Sequence, residues 1–236
     1  MNSAKKLSRI AGVLYLLVAV AAGFSYAYIH SYVMVPGDSA ATANNITSSE
    51  GLYRFSFVCG ILAFLCDIAL AAIFYTLLKP VNKTLSLTAA FFRLAQTAIL
   101  GINMLNLFIS LTILNGDSFV KTFEPDQLNA FALLFLTAHQ YGFDIAMVFF
   151  AVHCLILGYL LIKSGYFPKY LGILLIAASV SYAGDSFIKF LLPGYAHITA
   201  MIVAVTAIIA EVTLSIWLLA RGVRNDEFRK RQVAMN

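Results

Sequence analysis

The run "FDIAMVFFAVHCLILGYLLI", residues 143–162, decides the fold of this chain. At 1.5 Å per helical residue, a stretch of about 20 residues crosses a hydrocarbon core about 30 Å thick. The run is apolar almost throughout and lacks the in-out alternation of a membrane barrel strand, so helix is the structure it predicts. Five further runs of the same kind occur at 10–29, 53–78, 85–114, 170–192 and 199–219. The composition agrees: 61% of residues are hydrophobic and 11% charged, where soluble domains carry roughly a quarter charged residues. The predicted fold class is all-α, a polytopic integral membrane protein forming a six-transmembrane-helix bundle.

Basic residues collect at alternate ends of these spans. Lys5, Lys6 and Arg9 precede the first; Lys79 and Lys83 lie between the second and third; Lys163 and Lys169 lie between the fourth and fifth. Arg221, Arg224, Arg229, Lys230 and Arg231 follow the sixth, while the opposite loops hold Lys121. The bias predicts that both termini are cytoplasmic. Topology therefore accounts for the net charge of +5, which gives no support to a nucleic-acid partner. The expected organisation is a single six-helix membrane domain over 1–224 and a basic cytoplasmic tail over 225–236, facing anionic lipid.

The basic start of the first run resembles a signal peptide, but its apolar part exceeds the usual h-region of about 7–15 residues, so a retained span is expected. Cys59, Cys66 and Cys154 have no CxxC or zinc-finger spacing and read as apolar filler. Between the first two spans, 35–51 has turn chemistry at Pro36 and Gly37 followed by a helix-permissive polar run, which predicts a short surface helix. Pro125 stands where a helix starts and leads without a break into the fourth span. That combined length implies tilt, a kink near Gly142 or an extension beyond the membrane.

The blocks "YRFSFVCGILAFLCDIALAAIFYTLLKPVNKTLSLTAAFFRLAQ" and "HQYGFDIAMVFFAVHCLILGYLLIKSGYFPKYLGILL" resemble a bacterial membrane family catalogued as domain of unknown function 4386. The resemblance extends over nearly all of the chain, through "AEVTLSIWLLARGV". It implies a bacterial cytoplasmic (inner) membrane setting and a multi-pass fold, and it brings no activity or cofactor with it. Function has to be read from the polar residues.

Four of these residues share one depth. His153 lies ten residues before Lys163, Glu211 ten before Arg221, Asp67 twelve before Lys79, and Arg93 eight after Leu85. Each therefore sits roughly 12–18 Å into its helix, near the middle of the bilayer. An isolated charge there costs at least about 2.5–3.5 kcal/mol, so the four are expected to face inward and meet. Arg93 can clamp one carboxylate in a bidentate pair, leaving the second acid to be protonated, shared or matched to His153. This is the pattern of a proton- or ligand-binding site, and equally of a structural ionic knot. On the third span Arg93, Gln96 and Asn103 follow at i, i+3 and i+10, one face that reads either as interhelical glue or as a cavity lining.

A second polar group is expected near the outer ends: Arg54 on the second span, and His139 and Asp144 on the fourth. Asp185 and Lys189 are four apart with the acid first, the favourable order for a helical ion pair. His30, His139 and His197 read as interface histidines. His139 and His153 share a face within about 40° but differ by about 21 Å in height, so they cannot hold one metal between them.

Several chemistries fit poorly. A zinc hydrolase built on His153, Asp67 and Glu211 would have a guanidinium beside its metal, and no HExxH is present, so no metal site is expected. A bis-histidine haem would lack a partner level with His153. GxSxG and phosphate-loop signatures are missing. The reading that remains is an integral inner-membrane protein with a midplane polar pocket made by Asp67, Arg93, His153, Glu211, Gln96 and Asn103. It would bind or move a small or amphiphilic molecule with proton coupling. An embedded enzyme acting on a lipid or quinone, and a structural or accessory subunit, are the alternatives. Membrane lipid and a small-molecule ligand are the expected partners.

Overall fold

A computed structural model describes residues 3–116 and 122–233. Lys121, part of the charge count above, lies outside them, as does the end of the expected tail. In chain order the helices are α1 (Ser3–Tyr28), α2 (Ser39–Ser48), α3 (Glu50–Leu78), α4 (Lys83–Leu114), α5 (Pro125–Ser164), α6 (Lys169–Leu191), α7 (Ala196–Ala220) and α8 (Asn225–Val233). A π-turn over Ile29–Val33 continues α1, and a 3-10 turn over Pro193–Tyr195 leads into α7. There is no strand among the described residues. Among the described residues, six helices are long and apolar enough to cross a membrane: Ala4–Val33, Glu50–Leu78, Lys83–Leu114, Pro125–Ser164, Lys169–Leu191 and Pro193–Ala220. The protein is thus an all-helical, multi-pass integral membrane protein.

Local chemistry sets the helix ends. The polar run after Pro36 and Gly37 forms α2 as expected, with the Asp38 carboxylate accepting from the Ala41 amide at 2.9 Å as an N-cap. α5 begins at Pro125, where the Gln127 side chain accepts from the Glu124 amide at 3.0 Å. At 40 residues, α5 is about 60 Å long, twice the hydrocarbon thickness, so it extends beyond the membrane. Gly165, with φ at +78°, turns the chain between α5 and α6.

The chain gathers into two compact units. The first comprises the described residues of Met1–Leu17, Cys66–Thr97 and Asp144–Asn236. In it α5 and α6 approach closely at Gly158 and Gly172, where a side chain on either residue would run into the backbone of the other. Small residues allow this approach, and van der Waals contact between helices is what holds them together in lipid. α1 meets α7 in the same way where Gly12 lies under Leu219. The connection after α5 is fixed by polar bonds: Tyr166 Oη donates to the Leu77 carbonyl at 2.6 Å, and Arg224 Nη2 to the Gly165 carbonyl at 2.6 Å. Phe167 packs on Trp217 with ring centres 5.1 Å apart.

The second unit comprises Val18–Leu65 and the described residues of Ala98–Phe143. Its core joins Ile29, Val33, Ile46, Tyr53, Leu107 and Leu136. Tyr53 is buried yet satisfied, its hydroxyl donating to the Leu107 carbonyl at 3.0 Å and lying 2.7 Å from Ser110 Oγ. The Asn103 carboxamide rests directly on Gly142, with Nδ2 donating to the His139 carbonyl at 2.8 Å. Gly142 is therefore a packing position for Asn103.

Candidate functional site

The turn between α3 and α4 is short, so the helices run back along each other and bring residues equally far from it to one level. Asp67 and Arg93 are such a pair, and they form a buried salt bridge. Arg93 is 1% exposed and the bulkiest of the fully buried side chains. Its Nε donates to Asp67 Oδ1 at 3.2 Å and its Nη2 donates to the same oxygen. Its Nη1 donates to Tyr15 Oη at 3.1 Å and lies 3.2 Å from His153 Nε2. The guanidinium is also covered by rings, with Cζ 5.1 Å from the centre of Tyr15 and 5.6 Å from that of Phe150.

This geometry fixes the state of the histidine. A guanidinium has no acceptor, so His153 Nε2 must offer its lone pair to Arg93 and the ring proton must sit on Nδ1. Nδ1 lies 2.8 Å from the Ala89 carbonyl, which accepts that proton. His153 is thus the neutral Nδ1–H tautomer, and a proton added at Nε2 would drive out Arg93. Asp67, Arg93, His153 and Tyr15 form a closed hydrogen-bonded group in which a cation and an anion cancel.

Glu211 lies beside this group without joining it. Its Oε1 accepts from Tyr182 Oη at 2.6 Å, and the Ser215 hydroxyl donates to its backbone carbonyl at 2.7 Å. Tyr182 packs edge-on against Phe150 at 5.3 Å, and Phe150 stacks on His153 at 5.8 Å, so one ring stands between the two acids' surroundings. Arg93, Asp67, Cys154 and Tyr15 lie within electrostatic range of Glu211. No ion pair to Glu211 exists among the described residues. Glu211 is half-buried on α7, next to the buried positions Ala210 and Leu214.

The other expected residues have separate partners. Gln96 is buried, with Thr97 Oγ1 donating to it at 3.4 Å, and Asn103 bonds to the His139 carbonyl and to Asn106. Arg54 is held by Glu50 at 2.7 Å. Asp144 is bonded by Lys189 at 2.8 Å, and Lys189 also reaches Asp185 at 2.9 Å, as the acid-first spacing predicts. Nδ1 of His139 is buried and has no hydrogen-bond partner among the described residues. No three His, Cys, Asp or Glu gather as a metal site among the described residues. A groove of about 210 Å³ opens in the second unit, lined by Tyr53, Arg54, Phe57, Val58, Phe108 and Leu111.

Sequence reasoning missed Tyr15 and Tyr182, the hydroxyls that complete the Arg93 and Glu211 contacts. A tyrosine reads as apolar in a hydrophobic run, although a buried hydroxyl needs a partner. Counted by the same depth rule, Tyr15 lies about 9 Å above Arg9 and Tyr182 about 19.5 Å above Lys169, either side of the band at roughly 12–18 Å, and it is the length of a tyrosine side chain that brings each hydroxyl to the group.

An all-helical, multi-pass chain with an ion pair enclosed among its spans is the class these observations define. The chain belongs to the family described as domain of unknown function DUF4386, whose pattern matches residues 10–222. It is also similar to an uncharacterized protein of Archaeoglobus fulgidus, 28% identical over 173 residues that cover 73% of this chain and 87% of that one. No solved structure matches.

Proposed function

We propose that this protein binds or moves a small or amphiphilic molecule within the membrane, and that Glu211 is the group exchanging a proton or taking a cationic ligand group. The observation that carries this reading is the charge balance around Glu211. Arg93 is engaged by Asp67, Tyr15 and His153, so the cation available at that depth is already matched. Glu211 has a tyrosine hydroxyl for company and no ion pair among the described residues. A carboxylate in hydrocarbon without a counter-charge is costly, so Glu211 carries a proton or meets a cation brought by a ligand. In this reading the Arg93 group is a rigid floor: His153 holds Arg93 in place and Asp67 neutralises it. Half-buried Glu211 is the member within reach of the lipid.

The test is a native mass spectrum of the protein released from mild detergent, compared with the Glu211→Gln variant. A retained small mass in the wild type that is lost from Glu211→Gln, while both fold alike, is the expected result. A mass retained equally by both would remove Glu211 from the site. A bare chain in both, together with no reaction of Glu211 towards a hydrophobic carbodiimide at any pH, would overturn the reading.

A further inference from the structure

Three polar pairs join α6 to α7 at successive levels. Nearest the turn between these helices, Thr199 Oγ1 donates to Asp185 Oδ1 at 2.6 Å, and Asp185 Oδ2 accepts from Lys189, which also holds Asp144. Below it, Ser181 Oγ and Thr206 Oγ1 lie 2.6 Å apart. Lowest, Tyr182 Oη donates to Glu211. Ser181 and Asp185 are one helical turn apart on one face, and Tyr182 is the next residue, so the three pairs follow the same seam.

Such pairs could be interhelical glue, but their bonding is of a particular kind. Each aliphatic hydroxyl has one proton and a choice of acceptor. Ser181 can donate to the Ala178 carbonyl at 2.8 Å or to Thr206; Thr206 can donate to the Ile202 carbonyl at 2.9 Å or to Ser181. Thr199 can donate to the Ala196 carbonyl at 3.1 Å or to Asp185. A hydroxyl that can accept from one neighbour and turn to give to another passes a proton on, since it is donor and acceptor at once. Thr199, Thr206 and Glu211 are all half-buried, which leaves the seam open along one side. Asp185 and Ser181 are one turn, about 6 Å, apart on α6, while on α7 the steps from Thr199 to Thr206 and from Thr206 to Glu211 are about 10.5 and 7.5 Å, the reach of a short file of hydrogen-bonded waters.

We infer that the α6–α7 seam is the proton route to Glu211: a proton enters at the Asp144, Lys189 and Asp185 cluster beside the α6–α7 turn, passes Thr199 and the Ser181–Thr206 pair, and is bound by the Glu211 carboxylate. The inference rests on the reading of Glu211 as the proton-exchanging acid and adds the side of the membrane to which it answers. The groups facing Glu211 are Tyr182 from α6, Arg93 and Asp67 from α4 and α3, Cys154 from α5 and Tyr15 from α1. None of these is a link in the seam above it except Tyr182.

The experiment uses the full chain in vesicles, sorted by protease access to the C-terminal basic segment, with the two sides buffered independently. Dicyclohexylcarbodiimide, which reacts with protonated acids in apolar surroundings, reports Glu211 protonation by peptide mass, with Glu211→Gln as the blank. Labelling is expected to fall when the side bearing the α6–α7 turn is made alkaline and to ignore the other side. In the Ser181→Ala/Thr206→Val double variant this one-sided dependence is lost, while Ser215→Ala, which alters the opposite side of Glu211, keeps it. Labelling that follows the other side, or a double variant that behaves as wild type, overturns the route and leaves Glu211 as the proton site. If Glu211 never reacts at any pH on either side, the route falls, and with a bare chain in the native mass spectrum the underlying reading falls with it. Unchanged labelling of Glu211 in detergent certifies that the double variant is folded.

Discussion

Replacing Asp67 and Arg93 singly and together tests how the enclosed ion pair is held. In Asp67→Leu the guanidinium loses the oxygen that accepts from Nε and Nη2 and keeps Tyr15 and His153. A guanidinium cannot discard its charge, so this variant leaves a cation 1% exposed in the apolar interior. Removing one partner of a buried pair costs about 3–5 kcal/mol, and the upper part of that range is expected here. In Arg93→Met the acid left behind can bind a proton and become neutral, so the cost is smaller, about 2–3 kcal/mol. The double variant has no charge to bury, and its remaining cost is the unmet Nε2 of His153 and hydroxyl of Tyr15, together about 2 kcal/mol. The double variant is therefore more stable than Asp67→Leu alone, with a coupling of at least about 3 kcal/mol. Reversible unfolding of the four proteins in mixed micelles by increasing SDS fraction gives the cycle. Costs that simply add, or a double variant as unstable as the worse single one, would refute the claim that charge cancellation holds this group together.

Three other outcomes follow from the packing. Gly158→Leu should lower stability by at least about 1–3 kcal/mol, because a Cβ there meets the Gly172 carbonyl oxygen at 2.6 Å, and a thermal melt in detergent reads it. Tyr53→Phe removes a hydroxyl bonded to the Leu107 carbonyl and adjacent to Ser110, and should cost about 1 kcal/mol in the same SDS assay. Tyr166 lies between spans, and burial pushes its phenol above the ordinary value. A raised folded-state pKa means that its contribution is present in full below the unfolded value of about 10 and is lost as pH rises beyond it. The stability advantage of wild type over Tyr166→Phe should thus shrink in alkali, and an advantage that grows there would contradict the buried bond to Leu77.

Spans were legible because hydrocarbon imposes a length and a composition that few other structures share. The start of α5 at Pro125, the short α2 and the Asp185–Lys189 pair were readable from local chemistry. Depth counting brought Asp67, Arg93 and His153 to one place because rise per residue is constant along a helix. Which acid Arg93 chooses was beyond that count, since height says nothing about rotation between helices. The choice came from the tight α3–α4 turn, which sets Asp67 beside Arg93 and leaves Glu211 to Tyr182. Asn103 illustrates the opposite case. It shares a helical face with Arg93, yet it is taken by the His139 carbonyl exposed over Gly142, a backbone partner that no side-chain pattern reveals.

The chain has a single tryptophan, and it is Trp217, six residues beyond Glu211 on α7 and packed at a tilt against Phe167. Its indole therefore stands about 9 Å along the same helix from the proposed proton-exchanging acid. Emission from the purified protein carries no background from a second indole. A shift of α7 against the start of α6, whether on acidification or on arrival of a ligand, would change the contact between these two rings. The wild-type protein can thus be followed optically in real time, without a label and without knowing what it binds.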